Sequence, residues 1–249
     1  MNTPAAASNA FELATRIDPS QLQGNYRSSA RLHLRGILSD AAAQHLHQYL
    51  SQEVEWSLVL NDGEQVREAT PPMRRSFPPD RELALAAFAY ERAQKGFEYL
   101  YESRPVSDDP AQRALQPNPL NRFVDFLNSE PFLEFTRRLT GATDVAWADA
   151  QATRYRSGHF LRVHNDESGA GNRRVAYVFN LTPQWEADWG GQLQFIDGEG
   201  HIARAYVPRF NALNLFQVPQ LHAVSIVAPF AVGARYSVTG WLRARQSGS

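Results

Sequence analysis

The chain has 249 residues, of which 43% are hydrophobic and 20% charged, a globular balance that excludes wholesale disorder, collagen-like repeats and a coiled-coil rod. Lys and Arg number 25 against 26 Asp and Glu, so no global basic field exists to hold DNA or an anionic membrane. Cysteine is absent, which removes disulfides, zinc fingers, iron–sulfur clusters and thiolate nucleophiles and leaves any metal to His, Asp or Glu.

In chain order, Met1–Ala10 is small and polar with no basic-then-apolar leader pattern, and no apolar run approaches the ~20 residues of a membrane span. A flexible tail over 1–10 and a cytoplasmic protein are the expectation. Ala30–Leu38 alternates apolar and polar residues as a strand does, and Ser39 or Asp40 can cap an amphipathic helix over Asp40–Glu53. Trp56–Leu60 reads as a strand ended by the turn Asn61-Asp62-Gly63. Arg81–Tyr101, rich in Leu, Ala, Phe and Tyr and free of proline, predicts a long helix. Ser103–Pro119 holds four prolines and reads as a surface loop, with an active-site lid as the alternative. Helices over Leu120–Asn128 and Pro131–Leu139 stop at Gly141.

After Gly141 short β-branched and aromatic runs recur about every ten residues between Gly, Pro, Asn and Asp clusters. They predict strands at 145–154, 159–164, 175–181, 192–196, 203–207, 212–216, 222–227 and 236–242, and eight strands fit a jelly roll. The fold class is therefore α+β, mainly β: residues 11–249 form one domain, helix-rich over 11–141 and a jelly-roll core over 142–245.

The chemistry concentrates in His164-Asn165-Asp166. On a strand or its end, residues i and i+2 project to one face, so the His164 nitrogen and an Asp166 oxygen can chelate one cation. His222 opens a later strand that a jelly roll can lay beside the first, completing two histidines and one carboxylate with open positions left on a ferrous ion. Arg235 and Ser237, again i and i+2, sit in an otherwise apolar strand, and a guanidinium beside a hydroxyl suits capture of a carboxylate.

These residues resemble the 2-oxoglutarate- and Fe(II)-dependent dioxygenases of the prolyl hydroxylase superfamily. The likeness spans Val145–Arg243: Tyr155-Arg-Ser-Gly158, His164-x-Asp166, Trp189-Gly190-Gly191, Asn211–Phe216, His222 and Arg235-Tyr-Ser237-Val-Thr-Gly-Trp241. It is greatest to the ribosomal-protein prolyl hydroxylases and their bacterial relatives. The resemblance implies a double-stranded β-helix, Fe(II) held by His164, Asp166 and His222, and 2-oxoglutarate held by Arg235 with Ser237 beside it and Tyr155 close by. Dioxygen would be the oxidant and ascorbate a supporting reductant. The implied reaction is hydroxylation of prolyl residues of a protein, or of free proline or another amino acid, with oxidative decarboxylation of 2-oxoglutarate to succinate. Nucleic-acid demethylases carry Asn and a second Arg where this chain has Ser237 and Trp241, and halogenating relatives lack the carboxylate that Asp166 supplies. A non-catalytic cupin-like binding module and a zinc hydrolase using the same ligands are the competing readings, the latter leaving Arg235 and Ser237 without work.

Other candidates divide less sharply. His159, His33, His45, His47 and His201 read as structural or surface residues. Arg154, Arg156, Arg162, Arg173 and Arg174 read either as a docking patch at the mouth for an anionic or ribosomal partner or as ordinary rim arginines. Trp185 and Trp189 either clamp a substrate ring or anchor their loop. The sequence is silent on oligomeric state.

Overall fold

The first helix, α1 (Pro19–Ser29), starts where Asp18 accepts from the Ser20 amide and proline takes the position whose N–H would be unpaired. The structure is a computed structural model that describes residues 11–245 apart from 16, 64 and 168–170, so the expected tail over 1–10 lies outside the described residues. There follow β1 (Arg31–Arg35), α2 (Asp40–Gln52), β2 (Ser57–Asp62), β3 (Gln65–Ala69), α3 (Pro71–Arg75), α4 (Arg81–Ala93), β4 (Tyr99–Pro105), α5 (Pro110–Leu115), α6 (Pro119–Leu127) and α7 (Glu130–Thr140). The second half supplies β5 (Val145–Ala148), β6 (Gln151–Tyr155), β7 (Phe160–His164), β8 (Arg173–Asn180), β9 (Leu193–Ile196), β10 (Ile202–Tyr206), β11 (Ala212–Gln217), β12 (His222–Val224) and β13 (Arg235–Ala244).

Several sequence expectations hold for stated reasons. The Ser39 side chain accepts from the Ala42 amide to open α2, and Gly141 closes α7 at φ 78°, a conformation that penalises any Cβ. Others are corrected. The expected helix over 81–101 ends at Ala93: the chain turns around Gly96 and Tyr99 begins a strand. Aromatic density hid the two-residue alternation of Tyr99-Leu100-Tyr101-Glu102, whose tyrosines face one way while Leu100 and Glu102 are buried on the other side. The expected loop over 103–119 is partly regular. Its start completes β4, and Asp109 accepts from the Ala111 amide to cap α5. Arg113 pins that stretch by donating to Asp125 at 2.8 Å and to the Ser107 and Asp108 carbonyls at 2.7 and 3.0 Å, an anchored segment rather than a free lid. The expected strand over 145–154 divides into β5 and β6, and α1, α3 and β3 were not foreseen.

Antiparallel pairing runs β1-β11-β8-β13-β6-β4-β7-β12-β9-β10, with β5 beside β13 and the β2–β3 hairpin beside β4. The path folds over on itself as a jelly roll. Its pivot is β4, which pairs β6 through Glu102–Pro105 and β7 through Tyr99–Leu100. His33 of β1 stacks on Tyr206 of β10 at 5.0 Å, so the two ends of the path meet and the barrel nearly closes.

Each sheet face is covered differently. Helices α2, α6 and α7 bury Leu46, Phe123, Phe132 and Leu139 against Phe179, Leu213 and Val238 on the outer face of the β11-β8-β13 sheet. Phe123 and Phe179 are fully buried and meet edge to face at 5.0 Å, so truncating either would cost about 3–5 kcal/mol. Helix α4 covers the other side, packing Ala89 against Leu58, Leu100 and Phe160. The space between the sheets is lined from both sides and left partly open, and the residues with chemistry face into it.

Candidate metal centre and cosubstrate pocket

Pairing of β7 with β12 sets His164 directly opposite His222, with ring centroids 4.1 Å apart. Asp166 follows the end of β7 and turns back with φ +62°. Its Oδ1 lies 3.2 Å from His164 Nε2 and its Oδ2 lies 3.4 Å from His222 Nε2. One donor atom from each of the three residues falls within 4.8 Å of the others. Donors at right angles on bonds of about 2.1 Å stand about 3 Å apart, so this arrangement fits one face of an octahedral ion.

The tautomers suit the same role. His164 Nδ1 donates to the Arg162 carbonyl at 2.9 Å and His222 Nδ1 to the Gln220 carbonyl at 2.8 Å, which leaves each Nε2 lone pair directed at Asp166. Burial drives the His222 pKa down to about 4, helped by the neighbouring His164, so its imidazole is neutral near pH 7. Burial alone would raise the Asp166 carboxyl, but His164 and His222 beside it hold it below the usual carboxylate range. Two imidazoles and one carboxylate are a donor set suited to a divalent cation.

A cavity of about 600 Å³ opens onto the triad. Arg235 lines it, only 2% exposed, with Nε and Nη1 lacking any hydrogen-bond partner. Burial lowers its pKa; the Tyr155 ring lies under the guanidinium at 5.0 Å, but no carboxylate among the described residues pairs with it. A buried, unpaired guanidinium is costly to keep, and an anion entering the cavity would satisfy it. Tyr155 sits opposite Arg235 in the β6–β13 register and stacks on Tyr101 at 5.1 Å. Ser237 is fully buried with Oγ 3.5 Å from Thr153 Oγ1, and Thr153 rather than Ser237 faces the cavity.

The remaining candidates are sorted by their contacts. Of the five arginines expected near the mouth, only Arg173 lines the cavity. Arg154 and Arg156 point away from it to a buried cluster around Glu102. Arg162 donates to the Ala93 and Gly96 carbonyls, and Arg174 pairs with Asp144 at 2.8 Å. Trp185 and Trp189 do not line the cavity: Trp185 Nε1 donates to the Gly190 carbonyl at 2.8 Å and the two rings pack edge to face, so they anchor their loop. Sequence reasoning missed Phe97, Tyr99 and Tyr101, which wall the cavity beside His164, because the β4 alternation went unread.

His159 is structural, as expected. It accepts from the Arg156 amide at 3.2 Å, and burial brings its pKa down to about 4. The unfolded chain takes up this proton near pH 6.5 and the folded one only near pH 4, so stability is full above pH 6.5 and declines between those values, by roughly 3 kcal/mol at most. Urea titrations at pH 7.5 and pH 5 should show a smaller loss in His159→Asn than in the wild type. An equal loss in both would place the acid sensitivity elsewhere.

Residues 150–243 match the family model described as the 2OG-Fe(II) oxygenase superfamily. It is 29% identical over 119 residues to the mouse protein named prolyl 3-hydroxylase OGFOD1, covering 45% of this chain and 21% of that one. To the Xenopus laevis protein of the same name it is 31% identical over 151 residues, covering 55% and 29%. The chain thus spans less than a third of the length of these curated relatives. Among solved structures, a Pseudomonas putida prolyl-4-hydroxylase superposes with a TM-score of 0.55 at 15% identity, over 92% of this chain and all of that one. A 2OG-Fe(II) family oxidoreductase from Burkholderia pseudomallei gives 0.60 at 12% identity, over 98% of this chain and all of that one. These likenesses are likenesses of fold. No helix among the described residues is long and apolar enough to cross a membrane.

Proposed function

We propose that the chain is an Fe(II)- and 2-oxoglutarate-dependent hydroxylase of prolyl residues in a protein, with residues 11–249 acting as one dioxygenase domain. The observation that carries this is the buried, unpaired Arg235 lining the same cavity as His164, Asp166 and His222. A zinc hydrolase would need the triad but has no use for that guanidinium, whereas a dicarboxylate that chelates metal at one end uses both. The names of the curated relatives favour proline as the target, and free proline is the nearest variant.

In this reading His164, Asp166 and His222 hold Fe(II) on one face. Arg235 forms charge-assisted hydrogen bonds to the distal carboxylate of 2-oxoglutarate, and Tyr155 fills the wall beneath it. Leu193, Val178, Phe216 and Val224 supply apolar walls that keep water from that end of the cavity. When bound, iron with 2-oxoglutarate and dioxygen supplies oxidation of a C–H bond coupled to release of succinate and carbon dioxide. The Phe97, Tyr99 and Tyr101 wall suits an apolar ring presented beside His164. Ascorbate as a supporting reductant and a cytoplasmic location belong to the same proposal.

Aerobic incubation of prolyl peptides and free proline with Fe(II), 2-oxoglutarate and ascorbate should give succinate and a product heavier by one oxygen atom, read by mass spectrometry. Succinate and oxygen transfer both absent with every substrate would sink the proposal. Arg235→Lys should raise the KM for 2-oxoglutarate by about ten- to a hundredfold, because a point charge cannot reproduce the planar fork. Iron affinity should change little, and equal loss of both would contradict the assignment.

A further inference from the structure

We infer that Arg173 is a positioning residue: held by a stack with Trp241, Arg243 and Trp147, it fixes the Asp166 backbone so that the carboxylate points between His164 and His222. The inference rests on the triad being a metal site. Asp166 is one of three non-glycine residues at positive φ among the described residues. That conformation has a cost for a side-chain-bearing residue and persists where the surroundings over-determine it. The restraint at Asp166 is Arg173, whose Nη1 donates to the Asp166 carbonyl at 2.9 Å.

Arg173 is in turn held from behind. Its guanidinium carbon lies 3.6 Å from the centre of the Trp241 ring, and that of Arg243 lies over both Trp241 and Trp147 at 5.4 and 5.3 Å. Asp149 ties the stack to the sheet, accepting from the Trp241 amide at 2.7 Å and from Arg243 Nε at 2.5 Å. Arg243 also donates to Asn172 Oδ1, beside Arg173, at 3.0 Å. The strands select the right arginine. A register shift between β8 and β13 sets Arg173 opposite Arg243, and Arg174 turns outward to Asp144. A planar guanidinium can lie flat on an indole while an edge N–H reaches a carbonyl, and an ammonium cannot do both.

The test is anaerobic calorimetric titration of the whole chain with Mn(II), which binds such donor sets without redox chemistry. Arg173→Lys should weaken Mn(II) binding about ten- to a hundredfold, the scale for removing a group that orients a metal ligand. Its Tm should stay near that of the wild type, and the visible spectrum of the Co(II)-loaded protein should differ from the wild-type spectrum. Arg173→Ala should be weaker still and regain part of its Mn(II) affinity when guanidinium chloride at tens of millimolar replaces an equal concentration of sodium chloride. Wild-type Mn(II) affinity in both variants overturns the inference. So does lost affinity that comes with a lowered Tm in Arg173→Lys and no guanidinium rescue in Arg173→Ala, which would make Arg173 a packing residue. A wild type that binds no Mn(II) overturns instead the metal reading beneath it.

Discussion

Replacing His164 by alanine is expected to leave the chain folded and to lower succinate release from 2-oxoglutarate by about three orders of magnitude. The two halves of that expectation come from different observations. His164 stands at the cavity mouth with its side chain 19% exposed, so truncating it opens little buried space. Chemically it supplies one of three donors, and Asp166 would be left facing His222 alone across 3.4 Å. A bidentate remnant neither holds a divalent ion at low concentration nor fixes which positions stay open. His201→Ala provides the matched control, since that side chain is 75% exposed and lies beside Asp197 and Glu199. A His164→Ala protein that keeps more than a tenth of wild-type turnover would end the metal assignment.

The legible part of this chain was the part governed by short-range rules. His164 and Asp166 share a face because they are two apart at a strand end, and Arg235 stands out because its neighbours are apolar. Both are local facts. That His222 lies opposite His164 depends on strand pairing across almost sixty positions; the order of the motifs in a resembling family suggested it, and no periodicity contains it. The misread segment, 81–101, shows the opposite limit. A run of Leu, Ala, Phe and Tyr satisfies a helix stripe and a buried strand equally well, and only Gly96 and the Tyr99-Leu100-Tyr101-Glu102 alternation separate the two. Missing that strand meant missing one wall of the cavity. The arginines were hardest, because whether Arg154 faces substrate or Glu102 is decided by a partner 52 positions away.

Removing the charge of Glu102 is expected to cost far more stability than removing that of its partly exposed neighbour Glu82. The Glu102 side chain is fully buried and meets Arg74 at 2.8 Å, Arg156 at 2.9 Å and Arg154 at 2.5 Å. Glu82 bridges Arg74 and Arg156 from outside at 2.6 and 3.1 Å, while Arg154 also lies over the Trp56 ring at 5.2 Å. Burial opposes ionisation of Glu102, yet the hydrogen bond from Arg154 and the charges of Arg156 and Arg154 win and hold its pKa below the ordinary value. Its contribution is therefore complete at neutral pH and is lost only as acid carries the pH below the usual glutamate range. Glu102→Gln leaves Arg74 and Arg156 sharing the partly exposed Glu82 and takes from Arg154 its carboxylate partner, an uncompensated charge worth about 3–5 kcal/mol, or a fall in Tm of roughly 10 °C. Glu82→Gln, whose side chain is 39% exposed, should cost about 1 kcal/mol or less. The larger change also reaches the cavity, because Glu102 pairs with Leu58 and Arg154 in the register that sets Tyr99 and Tyr101 against the pocket. Urea denaturation of both variants decides the matter: equal and small losses would mean that packing around β4, and not the buried carboxylate, holds that wall in place.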